Sequence, residues 1–149
     1  MKEEKGKDKL RGLAELVLDP IYLSEAEKGI IDRQLEEGQG KDLDPLIANY
    51  VLLVNQFPFI STIRSCEGHG YPGHISFRFF KEWHERFMER GIRELIGKKV
   101  CHIYLEAGTW LKTTSGIYFR WNAKFSEEKR DDFFREFINW LRLESGKKD

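Results

Sequence analysis

The sequence predicts an α+β fold, in which a four-stranded, largely antiparallel sheet carries helices on one face. The first observation is an order of strand, loop, strand and helix that occurs twice, over residues 59–96 and 100–143. The second is the alternation of apolar and polar side chains over 99–106 and 116–122, which is typical of strands with one solvated face. Two helical patterns precede both units. Two such units join most simply into one sheet, although the pattern does not determine the strand order.

The size of the chain fits a single domain, and its charge is balanced. The chain has 149 residues, and we expect 13–145 to form one α+β domain and the charged residues 1–12 to be a disordered tail. Lys and Arg total 25 and Asp and Glu total 25, so any affinity for nucleic acid must come from a local patch of charge. Apolar runs are too short to span a bilayer, and the amino terminus lacks the apolar core of a signal peptide. We therefore expect a cytoplasmic protein with no membrane partner, and the two cysteines fit a reducing compartment.

Capping residues predict where the first two helices begin. Ser24 and Glu27 have the spacing of a capping box, and Gly38 is expected to end this helix. Asp44 is expected to cap the second helix, with Pro45 at its first position. The second helix is apolar around most of its circumference, which predicts that it is buried.

The candidate site lies in residues 57–80, FPFISTIRSCEGHGYPGHISFRFF. A glycine-rich loop containing Ser, Cys, Glu and His separates two strand-like runs, and such loops frequently carry binding and catalytic side chains. We predict Ser65, Cys66 and His69 as catalytic residues. Gly68 and Gly70 are predicted to let the backbone approach a ligand closely. The alternative is an ordinary hairpin loop beside a buried cysteine.

The residues that lead into this loop carry a family resemblance. The helix-like segment DPLIANYVLLVNQF is followed by a Pro, an aromatic strand and Ser-Thr-x-x-Ser-Cys-x-Gly. This order resembles the wybutosine-synthesising tRNA methyltransferase family, whose motif is Thr-Ser-Ser-Cys-Ser-Gly-Arg after a helix and a short aromatic run. Ser65, Cys66 and Gly68 match that motif, whereas Glu67 and His69 stand where the family has Ser and Arg.

The resemblance covers roughly a third of the chain and implies a reaction. It implies S-adenosylmethionine as the methyl donor and a tricyclic guanosine derivative in tRNA as the acceptor. Methyl transfer to an amine needs positioning more than a nucleophile, and His69 would accept the proton that the amine loses. No G-x-G-x-x-G follows a strand in the sequence, so a Rossmann-type cofactor site is not predicted.

The polar phase of the strands predicts a second surface. Because the apolar phase must face the helices, the polar phase faces away from them. The predicted outward side chains are His74, Ser76 and Arg78, then His102, Tyr104 and Glu106, then Tyr118, Arg120 and Asn122, with Thr62 and Arg64 sharing a phase on the first strand. Of these, the predicted ligand contacts are Arg64, His74, Arg78, His102, Tyr104, Tyr118 and Arg120.

This mixture of side chains favours RNA, and tRNA in particular, as the partner. Arginine pairs with phosphate and tyrosine stacks on bases, which suits single-stranded or looped RNA better than a duplex. Two alternatives stay open. A solvated sheet face is polar without any ligand, and a homodimer could cover it. The protein could then be a non-enzymatic RNA-binding or interaction module.

A small metal protein is a further hypothesis. The zinc-ligand residue types in and near the hairpin and the third strand are Cys66, His69, His74, Cys101 and His102. A single Cys-x-x-His is a weak pattern, and adjacent strand residues point to opposite faces. We therefore predict no metal site and place Cys101 in the core. Glu67 beside Cys66 opposes formation of a thiolate, so covalent catalysis is not favoured.

Overall fold

The structure, a computed structural model, describes residues 19–38, 41–108 and 117–146. The predicted tail 1–12 lies outside the described residues. Within these ranges the elements are α1 (Glu25–Gly38), α2 (Ala48–Asn55), β1 (Ile60–Cys66), β2 (Gly73–Phe79), α3 (Lys81–Arg86), a π-helical turn (Phe87–Gly91), α4 (Ile92–Gly97), β3 (His102–Gly108), β4 (Tyr118–Phe125), a 3-10 turn (Glu127–Lys129) and α5 (Arg130–Ser145). The predicted α+β class is confirmed. No helix in the described ranges is both long enough and apolar enough to cross a membrane.

The strands form one antiparallel sheet in the order β1-β2-β4-β3. The two hairpins therefore join through β2 and β4, and β1 and β3 are its edges. The β1 register shifts between Thr62 and Arg64, so Thr62 lies opposite Phe77 whereas Arg64 lies opposite Ser76. The prediction that Thr62 and Arg64 share a face is wrong, because the extra residue of this bulge reverses the alternation.

One face of the sheet packs on α2, α3, α4 and α5 and forms the core. The β2 and β4 side chains in this core are Ile75, Phe77, Phe79, Trp121, Ala123 and Phe125. The ring centre of Phe77 lies 5.4 Å from that of Phe87 and 4.9 Å from that of Phe137. Each large apolar side chain that is buried in this way contributes roughly 1.5–3 kcal/mol. The aromatic residues of both units therefore hold the sheet and helices together.

Helix α1 lies partly over the other face of the sheet. It begins with the predicted capping box, in which Glu27 N donates to Ser24 Oγ at 3.2 Å and Ser24 N donates to Glu27 Oε1 at 3.3 Å. The second carboxylate oxygen of Glu27 lies 3.4 Å from Nε of Arg78, which points away from the core. The sequence predicts helices on one face of the sheet only. Helix α1 departs from this prediction, because its Glu27 carboxylate lies beside the buried Arg78 guanidinium on the outer face.

Helix α2 begins at Ala48 with Ile47 as its cap, later than the sequence predicts. The Asp44 carboxylate accepts a hydrogen bond from the backbone N of Glu67 at 2.9 Å. The prediction that Asp44 caps this helix is wrong, because its side chain holds the β1–β2 loop instead.

Candidate functional site

The β1–β2 loop closes tightly on itself at its glycines. Gly68 and Gly70 have φ values of 94° and 81°, a region that favours glycine. A Cβ at Gly68 would lie only 2.6 Å from the carbonyl oxygen of Tyr71. The backbone N of Gly70 donates to Oε1 of Glu127 at 2.6 Å. Loop closure therefore accounts for both glycines without a ligand.

Two reciprocal hydrogen bonds fasten this loop to the segment before α2. Glu67 N donates to Asp44 Oδ2 at 2.9 Å, and Leu46 N donates to Glu67 Oε2 at 2.8 Å. His69 Nε2 lies 3.6 Å from Asp44 Oδ2, and its Nδ1 lies 3.9 Å from Glu67 Oε1. Sγ of Cys66 completes a group in which the ligand atoms of Asp44, Cys66 and His69 lie within 4.8 Å of one another.

Ser65 does not belong to this group. It lies opposite Ile75, a core residue, whereas Cys66 lies opposite His74 on the outer face. Consecutive strand residues point to opposite faces, so the two side chains diverge. Of the three predicted catalytic residues, the structure brings only Cys66 and His69 together.

The outward phases predicted for β2, β3 and β4 are confirmed by the register. One row of directly opposed residues crosses all four strands and consists of Cys66, His74, Lys124 and His102. The neighbouring row consists of Arg64, Ser76, Asn122 and Tyr104. We call these two rows the open end of the outer face.

Three basic side chains at the open end are accessible, although Ser76 and Asn122 between them are buried. Arg64, Lys124 and His102 are exposed, and His74 is half-buried. Burial, and then the nearby Arg64 guanidinium, lower the pKa of His74, so this imidazole is neutral at pH 7. Tyr104 is 37% exposed, and Lys124 Nζ lies 5.7 Å from its ring centre. The open end therefore combines cations with an accessible aromatic ring.

The other end of the outer face, which we call the covered end, is closed by residues 19–23 and α1. Arg78 is 1% exposed there. Its guanidinium donates to the carbonyl oxygens of Asp19, Pro20, Tyr22 and Phe119. The prediction that Arg78 lies on an open face is wrong, since these carbonyls and Glu27 surround it. This leaves it inaccessible to a ligand.

Tyr118 and Arg120 are also engaged within the protein. Tyr118 is 2% exposed, so its ring is not available for the predicted contact with a base. Arg120 Nε donates to Glu106 Oε1 at 2.7 Å, and its Nη1 donates to the Tyr118 hydroxyl. These contacts explain why only Arg64 remains exposed among the three arginines predicted for this face.

A cavity of about 660 Å³ adjoins the open end and shares Lys124 and His102 with it. Lys99 and Lys129 also line it, above an apolar floor that includes Val100 and Phe125. None of the described residues that line this cavity is acidic. The cavity therefore extends the basic surface around the edge of the sheet.

The sequence analysis does not predict three of the residues at these sites. Lys124 follows Asn122 in the outward phase, so extending the alternation by one step would have found it. The sequence marks Asp44 only as a helix cap, and no local pattern marks Lys99 as a binding residue. The prediction for Cys101 is confirmed, because it packs against the core and burial raises its pKa to about 12.

Comparisons with known proteins identify no relative of this chain. No protein-family model, curated protein or solved structure gives a significant match. The resemblance to the wybutosine-synthesising methyltransferases stays a prediction. The fold and sites define a four-stranded antiparallel α+β domain with a basic open end and an acid-cysteine-histidine loop, and function must be inferred from these features.

Proposed function

We propose that this protein binds single-stranded or looped RNA through the open end of its outer sheet face. The observation that carries the proposal is the row from Cys66 through His74 and Lys124 to His102, which crosses all four strands. No carboxylate in the described ranges forms an ion pair with Lys124 or with the neighbouring Arg64. These cations are therefore available to a polyanion.

The dimensions of the open end suit an extended strand of RNA. Adjacent strands lie about 4.8 Å apart, so a row that crosses four strands spans about 14 Å. Lys124 in this row and Arg64 in the next row would contact the phosphates, while Tyr104 offers a ring for a base. Such stacking contributes about 1–3 kcal/mol per base. A flat sheet cannot enter the narrow major groove of an RNA duplex, which favours unpaired RNA.

The adjoining cavity suits one unstacked nucleotide. Its volume of about 660 Å³ is within the range typical of small-ligand pockets. The apolar floor would contact the base, and the lysines at the rim would contact its phosphate. Lys99 has a φ of 58°, which is strained for a lysine and is usually adopted by glycine after a helix. Strained backbone positions cluster at functional sites, which supports a role for this lysine.

The methyl donor that the resemblance implies does not fit this cavity. S-adenosylmethionine carries a sulfonium cation, and the cavity beside the loop has three lysines and no acid among its described lining residues. The positive charges of these lysines would repel a sulfonium bound in the same cavity. We therefore derive no methyl-transfer step, and enzymatic activity stays a prediction from the resemblance alone. Transfer RNA is still the natural RNA to test first.

Fluorescence anisotropy with labelled RNA tests this proposal. We expect single-stranded RNA and tRNA to bind, and a duplex of the same sequence to bind more weakly. Between about 50 and 200 mM salt, the logarithm of affinity should fall with a slope of about −2, corresponding to roughly three phosphate contacts. Lys124→Ala should make that slope shallower by about 0.7, because it removes one contact.

Lys81→Ala is the matched control, since Lys81 is an exposed lysine beyond the opposite end of β2. It should leave both the affinity and the salt slope unchanged. Equal losses in the two variants, or no binding at about 50 mM salt, would contradict the proposal. A homodimer that buries the open end would also contradict it. Sedimentation would then show a mass that increases with protein concentration, and Lys124→Ala would weaken that association.

A further inference from the structure

We infer that Asp44, Cys66 and His69 form a zinc site at the β1–β2 loop, which shares Cys66 with the first row of the open end but needs no RNA to bind its metal. These residues offer one oxygen, one sulfur and one nitrogen, and the three ligand atoms lie within 4.8 Å of one another. His74, which the sequence groups with Cys66 and His69, is not a member of this group. Asp44 takes its place from a segment distant in sequence.

The separations in this group are close to those that a tetrahedral zinc requires. Zinc bonds of about 2.0–2.3 Å in tetrahedral geometry place the ligand atoms about 3.4–3.6 Å apart. Asp44 Oδ2 and His69 Nε2 are already 3.6 Å apart. The Cys66 sulfur, which lies within 4.8 Å of the other two ligand atoms, needs to close by at most about 1.4 Å to reach that geometry. The His69 side chain is 53% exposed, so it can rotate to allow this movement.

Glu67 lies near the place of the carboxylate that usually orients a metal-binding histidine, and a small rotation of His69 would bring the two within hydrogen-bond distance. The second ring nitrogen of a histidine ligand commonly donates to a carboxylate, which fixes the orientation of the ring. Here Oε1 of Glu67 lies 3.9 Å from Nδ1 of His69, and the Glu67 side chain is only 11% exposed. Its other oxygen accepts from Leu46 N, and its own N donates to Asp44. One ligand and the orienting carboxylate are therefore fixed before any metal binds.

The donor set selects zinc among common divalent ions. Magnesium and calcium prefer oxygen ligands, whereas a thiolate with an imidazole suits zinc. The Cys66 thiolate and the Asp44 carboxylate together would neutralise the two charges of the ion. Three protein ligands leave a fourth position for water, the arrangement typical of catalytic zinc sites. Since His69 is half-exposed, that position would face the solvent.

Cobalt(II) is a suitable probe, because cobalt bound to a thiolate absorbs in the near ultraviolet and tetrahedral cobalt absorbs strongly in the visible. Metal-free full-length protein should bind one cobalt per chain with both absorptions, and zinc should displace it. Elemental analysis should then find one zinc per chain. No RNA is needed, so the result is separate from that of the RNA-binding experiment.

Variants assign the ligands. Cys66→Ser should abolish the near-ultraviolet band, whereas Cys101→Ser, the matched control, should keep it. Asp44→Asn and His69→Ala should weaken binding by at least tenfold, since each removes a ligand. Glu67→Gln should weaken binding by about 10–100-fold while leaving the thiolate band, because Glu67 orients His69 without binding the metal.

Three outcomes would overturn the zinc site. These are the absence of stoichiometric cobalt or zinc, a thiolate band that survives Cys66→Ser, and binding of magnesium in preference to zinc. Chemical unfolding of each variant without metal separates loss of a ligand from loss of the fold. A Cys66→Ser variant with wild-type stability and no thiolate band would support the inference.

Discussion

The two ends of the outer sheet face contain similar residue types in different surroundings. Arg78 and His74 lie on the same strand and point to the same side, yet Arg78 is buried among backbone carbonyls whereas His74 borders exposed cations. At the covered end, the polar groups of the sheet bind residues 19–23 and α1. At the open end, Arg64, Lys124 and His102 are exposed, although Ser76 and Asn122 are buried. A polar strand face can therefore serve as a structural clasp or as a binding surface, depending on what packs over it.

Charge is also handled differently at the two ends. Burial raises the pKa of Glu27 and lowers that of Arg78, which shows that desolvation opposes the charges of this pair. The carbonyls that surround Arg78 compensate by accepting its hydrogen bonds. At the open end, Lys124 and Arg64 remain hydrated, and only His74 is partly desolvated. Mutations should therefore affect stability at the covered end and binding at the open end.

Arg78→Met should have the largest effect on stability. Removing one partner of a buried ion pair typically costs about 3–5 kcal/mol, because the other charge is left uncompensated. Urea unfolding measures this change. Arg64→Met is the matched control, because Arg64 is exposed at the open end, and its unfolding free energy should change by less than about 0.5 kcal/mol. Normal stability with weakened RNA binding in Arg78→Met would mean that the covered end opens in solution.

His84, beside the covered end, should make the protein less stable in acid. It is 3% exposed, its Nδ1 accepts from Trp121 Nε1 at 3.1 Å, and burial followed by the Arg78 charge lowers its pKa. The unfolded chain therefore takes up this proton near pH 6.5, before the folded chain does. Stability should fall as the pH drops below about 6.5, by at most about 1.4 kcal/mol per pH unit, until the folded pKa is passed.

Urea unfolding across this pH range in wild type and His84→Gln measures that contribution. The difference between the two curves isolates His84 from other groups, including His74, whose lowered pKa acts with the same sign. Superimposable pH profiles would show that His84 does not drive the acid sensitivity.

Local patterns in the sequence predict much of this comparison. The alternation of side chains along β2 correctly places His74 on the outer face and Phe77 in the core, because the two-residue period of a strand depends only on adjacent residues in the sequence. The Ser24–Glu27 capping box is equally local and is confirmed. The fold class follows from the order of such patterns. The sequence also places Cys66 and His69 in one loop, and the structure keeps them together.

Long-range contacts account for what the sequence does not reveal. The burial of Arg78 depends on carbonyls from residues 19–22 and from Phe119, which alternation along β2 cannot indicate. Asp44 resembles a helix cap in sequence, but a backbone N from the hairpin competes for its carboxylate. The β1 bulge reverses the face of every residue after it. Each failure occurs where a distant segment, or a register shift, changes the environment of a residue.

Lys99→Gly should separate stability from binding at the cavity. The residue has a positive φ, and a non-glycine side chain costs about 1 kcal/mol in that region. We therefore expect urea unfolding to show a gain of about 0.5–1 kcal/mol, with weaker RNA binding because a cation is lost. Lys98→Gly is the control, since Lys98 has a φ of −79° and should lose stability on the same change. A gain in stability with unchanged RNA affinity would show that Lys99 does not contact the RNA.

His74 should give the smallest effect, a dependence of RNA affinity on pH. Burial and the charges of Arg64, Lys124 and Arg120 lower its pKa, and Glu106 opposes them. A bound phosphate adds negative charge beside the imidazole, so it should raise this pKa and couple binding to proton uptake. Affinity should increase as the pH falls from about 8 to about 6, by at most tenfold per pH unit.

Anisotropy titrations at several pH values in wild type and His74→Gln measure this coupling. His74→Gln should still bind RNA at about pH 8, where the wild-type imidazole is neutral, and should lose part of the increase in acid. His69→Gln is the matched control, because His69 is a histidine that lies in the loop and outside the two rows of the open end. If His74→Gln keeps the full increase and His69→Gln loses it, the RNA lies against the loop and not along the row. That result would place the RNA-binding surface at the acid-cysteine-histidine loop. The two ends of the outer face would then differ in how much of each is buried, but neither end would bind RNA.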